Sequence, residues 1–491
     1  MRSGRCPLDC STHHLNRRDF IRNTAGLVAG TTILGGCNTL WSARGPNLEP
    51  VELSGPGARY KPGVKAAFVR RKEEYGMWWP GAVYDGEAAR RTYTSKLEET
   101  ARSLGMRLDI RPAPIHDPVE ADAWIKEAKD AQTDGLMVVL LDRQQHAWPT
   151  ARKAAESDIP TVVFSPVGSS FTTNTVGLAK APGCVIYSTD DFSQPAYGLK
   201  MLQAGAKMRH ARCIVIKGDR RAERSVEHLG IHLQYVPAQT FLDTYRNLAK
   251  DERILAVAED CMRRARRQGG ATREDVINGA RSYFTARAIL EQEGGDAITM
   301  DCLGALASRK ESLPCMAWSM LNDARIPAAC EADIGAAAGH ILVQYLFDRP
   351  GFQQDPVAET AQDAIIGAHC VCATRLNGFD EPPEPYDLVH HHGLRDATVR
   401  TLWKVGQRVT CLDVVQGKGD KPTELLISAG EVIKNVSVPP AGGCVVSVMV
   451  KFDGGQDVLT FPGFHQLFFY GDYKRELVDF CRLYNLEAKV V

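Results

Sequence analysis

Two carboxylates and one imidazole in the C-terminal part of the chain have the types needed to hold a divalent cation. They are Glu331 in Cys330-Glu331-Ala332-Asp333, Asp355 in Gln354-Asp355-Pro356, and His465 in Gly463-Phe464-His465-Gln466. A hard-to-borderline ion such as Mn²⁺ accepts such a set and keeps positions open for the oxygens of a substrate. The spacings, 355 − 331 = 24 and 465 − 355 = 110, exceed any single-loop metal motif, so three separate elements must meet to form a site. Each residue also has a plainer reading. Glu331 can serve a helix start, Asp355 a turn before proline, and His465 a structural role.

The surrounding pattern says what must position them. Short apolar runs alternate with helical spacing: Val64–Val69, a helix over 87–104, Met106–Ile110, a helix over 121–131, Gly135–Leu141, a helix over 150–157, and Pro160–Phe164. This alternation predicts a parallel sheet covered on both faces, in an N-terminal α/β domain over 61–168. A second α/β unit is expected from near Gly183, within a domain over 169–348. Its strands are Ala211–Gly218, Ala297–Asp301 and Pro327–Cys330, and a helix over 333–346 begins on an acid, as the helix dipole favours. Residues 240–296 read as charged and largely helical, with no functional reading. Over 349–491 short β-like runs with intervening Pro and Gly predict a β-rich domain, with strands near 409–415, 424–428, 443–452, 458–461 and 466–470 and a closing helix over 473–483.

Glu331 falls just past a strand and before a helix, where open α/β sheets bind ligands. Asp301 ends its strand and could line the same cleft. Tyr75-Gly76-Met77-Trp78-Trp79-Pro80 follows the first strand, so Trp78 and Trp79 could offer faces to a sugar, or pack a loop or a subunit interface. His146 lies in Asp142-Arg143-Gln144-Gln145-His146-Ala147-Trp148, a loop suited to sugar contact or simply solvated. Cys370-x-Cys372 and His390-His391-His392 carry zinc-type ligands without an accompanying Cys-x₂-Cys pair. Neither a P-loop nor a dinucleotide fingerprint occurs.

The 491 residues are enough for several domains, and 59 basic residues balance 59 acidic ones. No net field favours nucleic acid or anionic lipid, and no nucleic-acid partner is expected. Residues 1–37 read as an export leader: Arg17-Arg18 in Asn16-Arg17-Arg18-Asp19-Phe20 resembles a twin-arginine signal, and Leu34-Gly35-Gly36-Cys37 resembles a lipobox with Cys37 lipidated. Residues 38–60 read as a linker. The expected location is periplasmic, with any membrane contact through that anchor. Fourteen cysteines are present, eleven of them after Cys37, without framework spacing; this fits buried thiols better than a disulfide scaffold.

From about residue 297 onward the chain resembles the L-fucose/L-arabinose isomerase family. Cys330-Glu331-Ala332-Asp333 corresponds to that family's Cys-Glu-Gly-Asp, Asp355 to its second metal carboxylate, Gly367-Ala368-His369-Cys370 to a Gly-x-His segment, and Gly463-Phe464-His465 to another near the C-terminus; Tyr470-Gly471-Asp472 follows. The resemblance implies two Rossmann-like parallel-sheet α/β domains followed by a β-barrel-like C-terminal domain, in a homo-oligomer (trimer or hexamer). It implies aldose–ketose isomerisation of a small sugar on a divalent metal, usually Mn²⁺. Glu331 and Asp355 would be both ligands and acid/base pair, His465 the third ligand, and His369 a fourth ligand or a substrate contact. The chain departs from the pattern at Ala332, where the family has glycine, and at Phe464, where histidine or asparagine is commoner. Two other outcomes fit the same features: a carbohydrate-binding exported lipoprotein without catalysis, or a family member that has lost activity.

Overall fold

The computed structural model describes residues 55–73, 76–77, 84–143, 145, 147–306, 311–391, 395–437 and 444–491. Its first sheet has the strand order Arg107–Ile110, Gly63–Val69, Gly135–Leu140, Thr161–Ser165, Cys184–Ser188, all parallel. The unbroken apolar strand Gly135–Leu140 is buried along its whole length because helices cover both faces. Successive residues point to opposite sides: Met137 and Val139 enter one core, Leu136, Val138 and Leu140 the other. The covering helices start on side-chain caps. Asp85 accepts from the Glu87 and Ala88 amides before Gly86–Ser103, and Asp117 does the same for Val119 and Glu120 before Pro118–Asp130.

The second sheet runs Ala328–Cys330, Ala297–Met300, Arg212–Ile216, Ile231–Val236, Ala222–Val226; only the last strand is antiparallel. The strand Cys184–Ser188, in the stretch where the second unit is expected to start, pairs with Thr161–Ser165 at the edge of the first sheet. The long helix Ser193–His210 then passes between the two sheets, largely buried. Residues 238–293 hold the helices Ala238–Asn247, Glu252–Arg264 and Arg273–Glu293. They also hold a short strand, Arg267–Gly269, that pairs with Tyr386–His391. Arg266 makes two bonds of 2.9 and 2.8 Å to the buried carboxylate of Asp387, so this charged arm is fastened to the C-terminal region.

The C-terminal region forms a closed six-stranded antiparallel barrel in the order Arg408–Val415, Gln466–Tyr470, Phe352–Glu359, Ala364–His369, Val446–Phe452, Glu424–Asn435, with the last strand pairing back to the first. Phe468, Val448 and Val409 fill its core, while Phe469, Leu467 and Leu412 face the α/β body. Two expectations are corrected here. Residues Val458–Thr460 form a short 3₁₀ turn and not a strand, and a strand, Glu487–Val490, follows the closing helix Lys474–Leu483 and pairs with 424–427.

Helix Ile334–Phe347 joins barrel to sheet. Apart from His340 and Gln344 it is apolar, and it is buried all round from Gly335 to Phe347, as such a helix must be. A Cβ on Gly335 would come within 2.5 Å of the Val414 carbonyl oxygen and one on Gly339 within 2.7 Å of Leu467, so both glycines permit the helix to lie on barrel strands. Its N-terminus therefore opens onto the barrel mouth. Among the described residues no helix is long and apolar enough to cross a membrane. The eleven cysteines from Cys184 to Cys481 are free thiols, and all but Cys444 are buried.

Candidate metal centre

Glu331 leaves the carboxyl end of strand Ala328–Cys330 in a left-handed turn, with φ 63° at Glu331 and 53° at Ala332. The amide of Ala332 donates to the Met300 carbonyl at 3.0 Å, and that of Asp333 to Cys330 at 3.2 Å. One residue earlier, the Cys330 amide donates to Gln353 Oε1 at 2.8 Å and ties the turn to a barrel strand. Left-handed backbone costs a non-glycine residue on the order of 1 kcal/mol or more. A glycine at 332 would remove that strain, which gives the alanine departure a physical meaning.

The other donors come from one end of the barrel. Asp355 lies within strand Phe352–Glu359, opposite Ala368, and not in a turn. Pro356 is accommodated because pairing with Gln466–Tyr470 covers only Phe352 to Gln354. His369 ends strand Ala364–His369, and His465 immediately precedes Gln466–Tyr470. The His465 loop is tightly built. Gly463 has φ 94° and no room for a Cβ beside Asp413, and the Phe464 amide donates to Asp413 Oδ2 at 3.2 Å.

These elements bring four side chains together. His465 Nε2 is 3.2 Å from Asp355 Oδ1 and 3.5 Å from Glu331 Oε2, and His369 Nε2 is 3.8 Å from Glu331 Oε1. One donor atom each of Glu331, His369 and His465 lie within 4.8 Å of one another, so the group could hold a metal ion. Both imidazoles are about 5% exposed, and the two carboxylates are about one-third exposed at the cleft. On the far side of His465, Nδ1 lies 3.0 Å from Asp333 Oδ2. Asp301 ends its strand nearby; its Oδ1 accepts from the Gly304 amide at 3.2 Å, and its charge reaches Glu331.

The electrostatics are those of a site rich in negative charge. Burial raises the pKa of Glu331, and Asp355, Asp333 and Asp301 add to the rise while His465 opposes it. Burial disfavours the charged form of His465, but hydrogen bonds and charge from Asp333 and Asp355 outweigh it and push the imidazole up to about 10. Without another cation, the imidazolium balances the acids. A carboxylate oxygen of Glu331 and two imidazole nitrogens converge in a partly desolvated cleft and, with the Asp355 carboxylate 3.2 Å from His465, form a donor set suited to a borderline divalent ion.

The remaining candidates fare differently. Trp78, Trp79, His146 and Cys37 lie outside the described residues. Of the loop containing His146, Trp148 is a core residue whose indole N–H donates to the Ser169 carbonyl, and Asp142 is fully buried in a bidentate pair with Arg71. His390 Nε2 meets Asp275 at 3.2 Å and His391 is buried on its strand. Two residues escaped the sequence reading. The sequence marks Asp333 as an acidic helix start, and an Asp in the cap position two residues from Glu331 is the signal that points to the site. Asp413 interrupts the apolar run 411–415, and burial raises its carboxyl to about 6.

No family model matches the chain. Over 218 residues it is 29% identical to sulfoquinovose isomerase of Clostridium sp. (strain MSTE9), a match covering 40% of this chain and 46% of that protein. The chain thus spans about half the length of the curated relative it matches. Among solved structures, a solute-binding protein of an ABC transporter from Burkholderia multivorans is 12% identical, with a TM-score of 0.19 over 59% of this chain and 95% of that one, a likeness too slight to argue from.

Proposed function

We propose that this protein is a metal-dependent aldose–ketose isomerase acting on a small sugar. The observation that carries the reading is the convergence of Glu331, Asp355, His369 and His465 where the carboxyl edge of a parallel sheet meets a barrel mouth. The similarity to sulfoquinovose isomerase supports a sugar as substrate class. Glu331, Asp355 and His465 would hold Mn²⁺ or a related ion, with His369 as fourth ligand or substrate contact. The bound ion supplies Lewis-acid polarisation of a sugar carbonyl oxygen.

The chain's own groups do the proton work. Glu331 takes the proton from C2 of the open-chain aldose and returns it to C1, through an ene-diol. Its raised pKa brings a carboxylate nearer the operating pH, as a general base requires. Asp355 carries the hydroxyl proton between the two oxygens. Phe464 is 62% exposed and stacks on His465 at 4.5 Å between ring centroids, so it offers an apolar face beside the cleft. Export by the twin-arginine route, lipidation at Cys37 and homo-oligomerisation belong to the same proposal and rest on the leader motifs and the resemblance alone.

The test is ketose formation from sulfoquinovose, L-fucose, L-arabinose and D-arabinose, with Mn²⁺ or with EDTA. Turnover that needs metal and is lost in Glu331→Gln supports the reading. Tight sugar binding without turnover on any aldose would replace it with a carbohydrate-binding protein.

A further inference from the structure

We infer that Asp333 is a positioning residue that fixes the tautomer and orientation of His465, and that it does so because the N-terminus of helix Ile334–Phe347 holds it in place. The inference rests on the reading of His465 as a metal ligand and deepens it. Asp333 uses its two oxygens for two different tasks. Oδ1 accepts from the Ala336 amide at 2.8 Å and caps the helix; Oδ2 faces His465 Nδ1 at 3.0 Å. The capping bond and the burial of the helix leave the carboxylate little freedom to swing. An ionised carboxylate only accepts, so Nδ1 must carry the proton that joins them. When Nε2 gives up its own proton to a bound ion, its lone pair is the one that ligates, and it is the nitrogen 3.2 Å from Asp355 and 3.5 Å from Glu331. A carboxylate on the outer nitrogen of a ligating histidine sets its tautomer and ring plane in this way, and loss of such partners commonly weakens metal binding by roughly 10- to 100-fold.

The geometry has a second consequence. His465 and Asp333 are 132 residues apart, so their contact links barrel loop to sheet-end turn. Glu331 sits two residues before Asp333 in that turn. Together with the bond from the Cys330 amide to Gln353, this contact ties together two donors that belong to different parts of the fold.

Two substitutions separate positioning from capping. Asp333→Asn keeps an oxygen able to cap the helix, since Asn caps as well as Asp. With that oxygen on Ala336, its amide NH₂ faces Nδ1, which favours the tautomer with the proton on Nε2, the wrong one for ligation. Asp333→Ser also caps, but it is too short to reach the ring and leaves the tautomer unforced. The readout is the dissociation constant for Mn²⁺, followed by the electron paramagnetic resonance of the free ion on the full chain. The thermal midpoint of each metal-free protein is measured alongside. The expected order is wild type tightest, Asp333→Ser about tenfold weaker and Asp333→Asn weaker still, with the two variants equally stable. Variants that bind Mn²⁺ within twofold of wild type, while His465→Ala does not, overturn the inference. So does a loss that only follows the thermal midpoint. If wild type fails to bind Mn²⁺, or His465→Ala binds as well as wild type, it is the metal-site reading itself that fails. Should Asp333→Asn not fold, the comparison of Asp333→Ser with wild type at matched stability decides the same question.

Discussion

Asp142 and Glu331 each follow an apolar parallel strand, one in each α/β sheet, and their surroundings are opposite. Asp142 is fully buried and answered by Arg71, whose guanidinium nitrogens lie 2.7 and 3.0 Å from its two oxygens. Burial pushes its carboxyl up, but the bonds from Arg71 and the Arg143 amide more than offset this and hold it below the usual range. Glu331 is about one-third exposed and surrounded by Asp355, Asp333 and Asp301, with His465 opposing them, and its carboxyl is held above the usual range. A carboxylate matched to its own arginine is part of the scaffold. A carboxylate kept among other acids at a cleft is poised for a cation that the fold does not itself provide. The same position in two similar sheets thus holds a paired carboxylate in one and, on the proposed function, a reactive one in the other.

Exchanging the two acids for their amides should break this contrast most sharply. Glu331→Gln is expected to lower ketose formation by about 10³-fold while changing the free energy of unfolding of the metal-free protein by less than about 1 kcal/mol, read by an activity assay and a urea titration. Asp142→Asn should do the reverse. Loss of the pair with the partly exposed Arg71 costs about 2 kcal/mol, with turnover per folded molecule unchanged. A neutral Glu331 variant that unfolds easily, or an Asp142 variant that folds normally and is inactive, would erase the distinction.

The pH dependence sharpens it. Because the folded pKa of Asp142 is depressed, its contribution is fully present above the unfolded value, about 3.9, and is lost as pH falls through the lower folded value. Thermal midpoints measured from pH 6 to pH 2 should therefore fall less steeply on the acid side for Asp142→Asn than for wild type. Equal acid slopes would mean that the Arg71 pair stores no such stability.

The smallest effect concerns the turn that presents Glu331. Ala332→Gly relieves the left-handed backbone at φ 53°, yet it also removes a buried methyl group and adds freedom to the unfolded chain. Strain relief of about 1–2 kcal/mol is opposed by about 0.8 kcal/mol for the methyl group and about 0.5–1 kcal/mol for the freer unfolded chain, so the stability should change by less than about 0.5 kcal/mol, with Mn²⁺ affinity unaltered. A large loss of affinity would show that the strained turn tunes the site.

Local chemistry made much of the fold legible in the sequence. Unbroken apolar runs such as 135–141 could only be central parallel strands, and the helices between them followed from periodicity. What required long-range pairing was not legible. Cys184–Ser188 carries no mark of which sheet it joins, and the Val458–Thr460 run has strand-like residues but the backbone of a turn. Arg267–Gly269 pairs with a strand more than a hundred residues away, in a stretch whose charge suggested helix alone. At the site, Glu331, Asp355 and His465 stood out by type and spacing, whereas His369 entered only through the family resemblance and its nearness to Glu331 had to come from the barrel register. Asp333 could be seen as a cap but not as the partner of His465, because no spacing rule connects residues 132 apart.

Glu331, Asp355 and His465 are proposed to hold a divalent metal, with His369 as fourth ligand or substrate contact. The most direct measurement is anomalous X-ray diffraction, at the manganese absorption edge, from crystals of the full chain grown with Mn²⁺. One strong peak is expected among these four side chains, with ligand distances on the order of 2.2 Å. Full-strength peaks elsewhere, with none between Glu331 and His465, would contradict it.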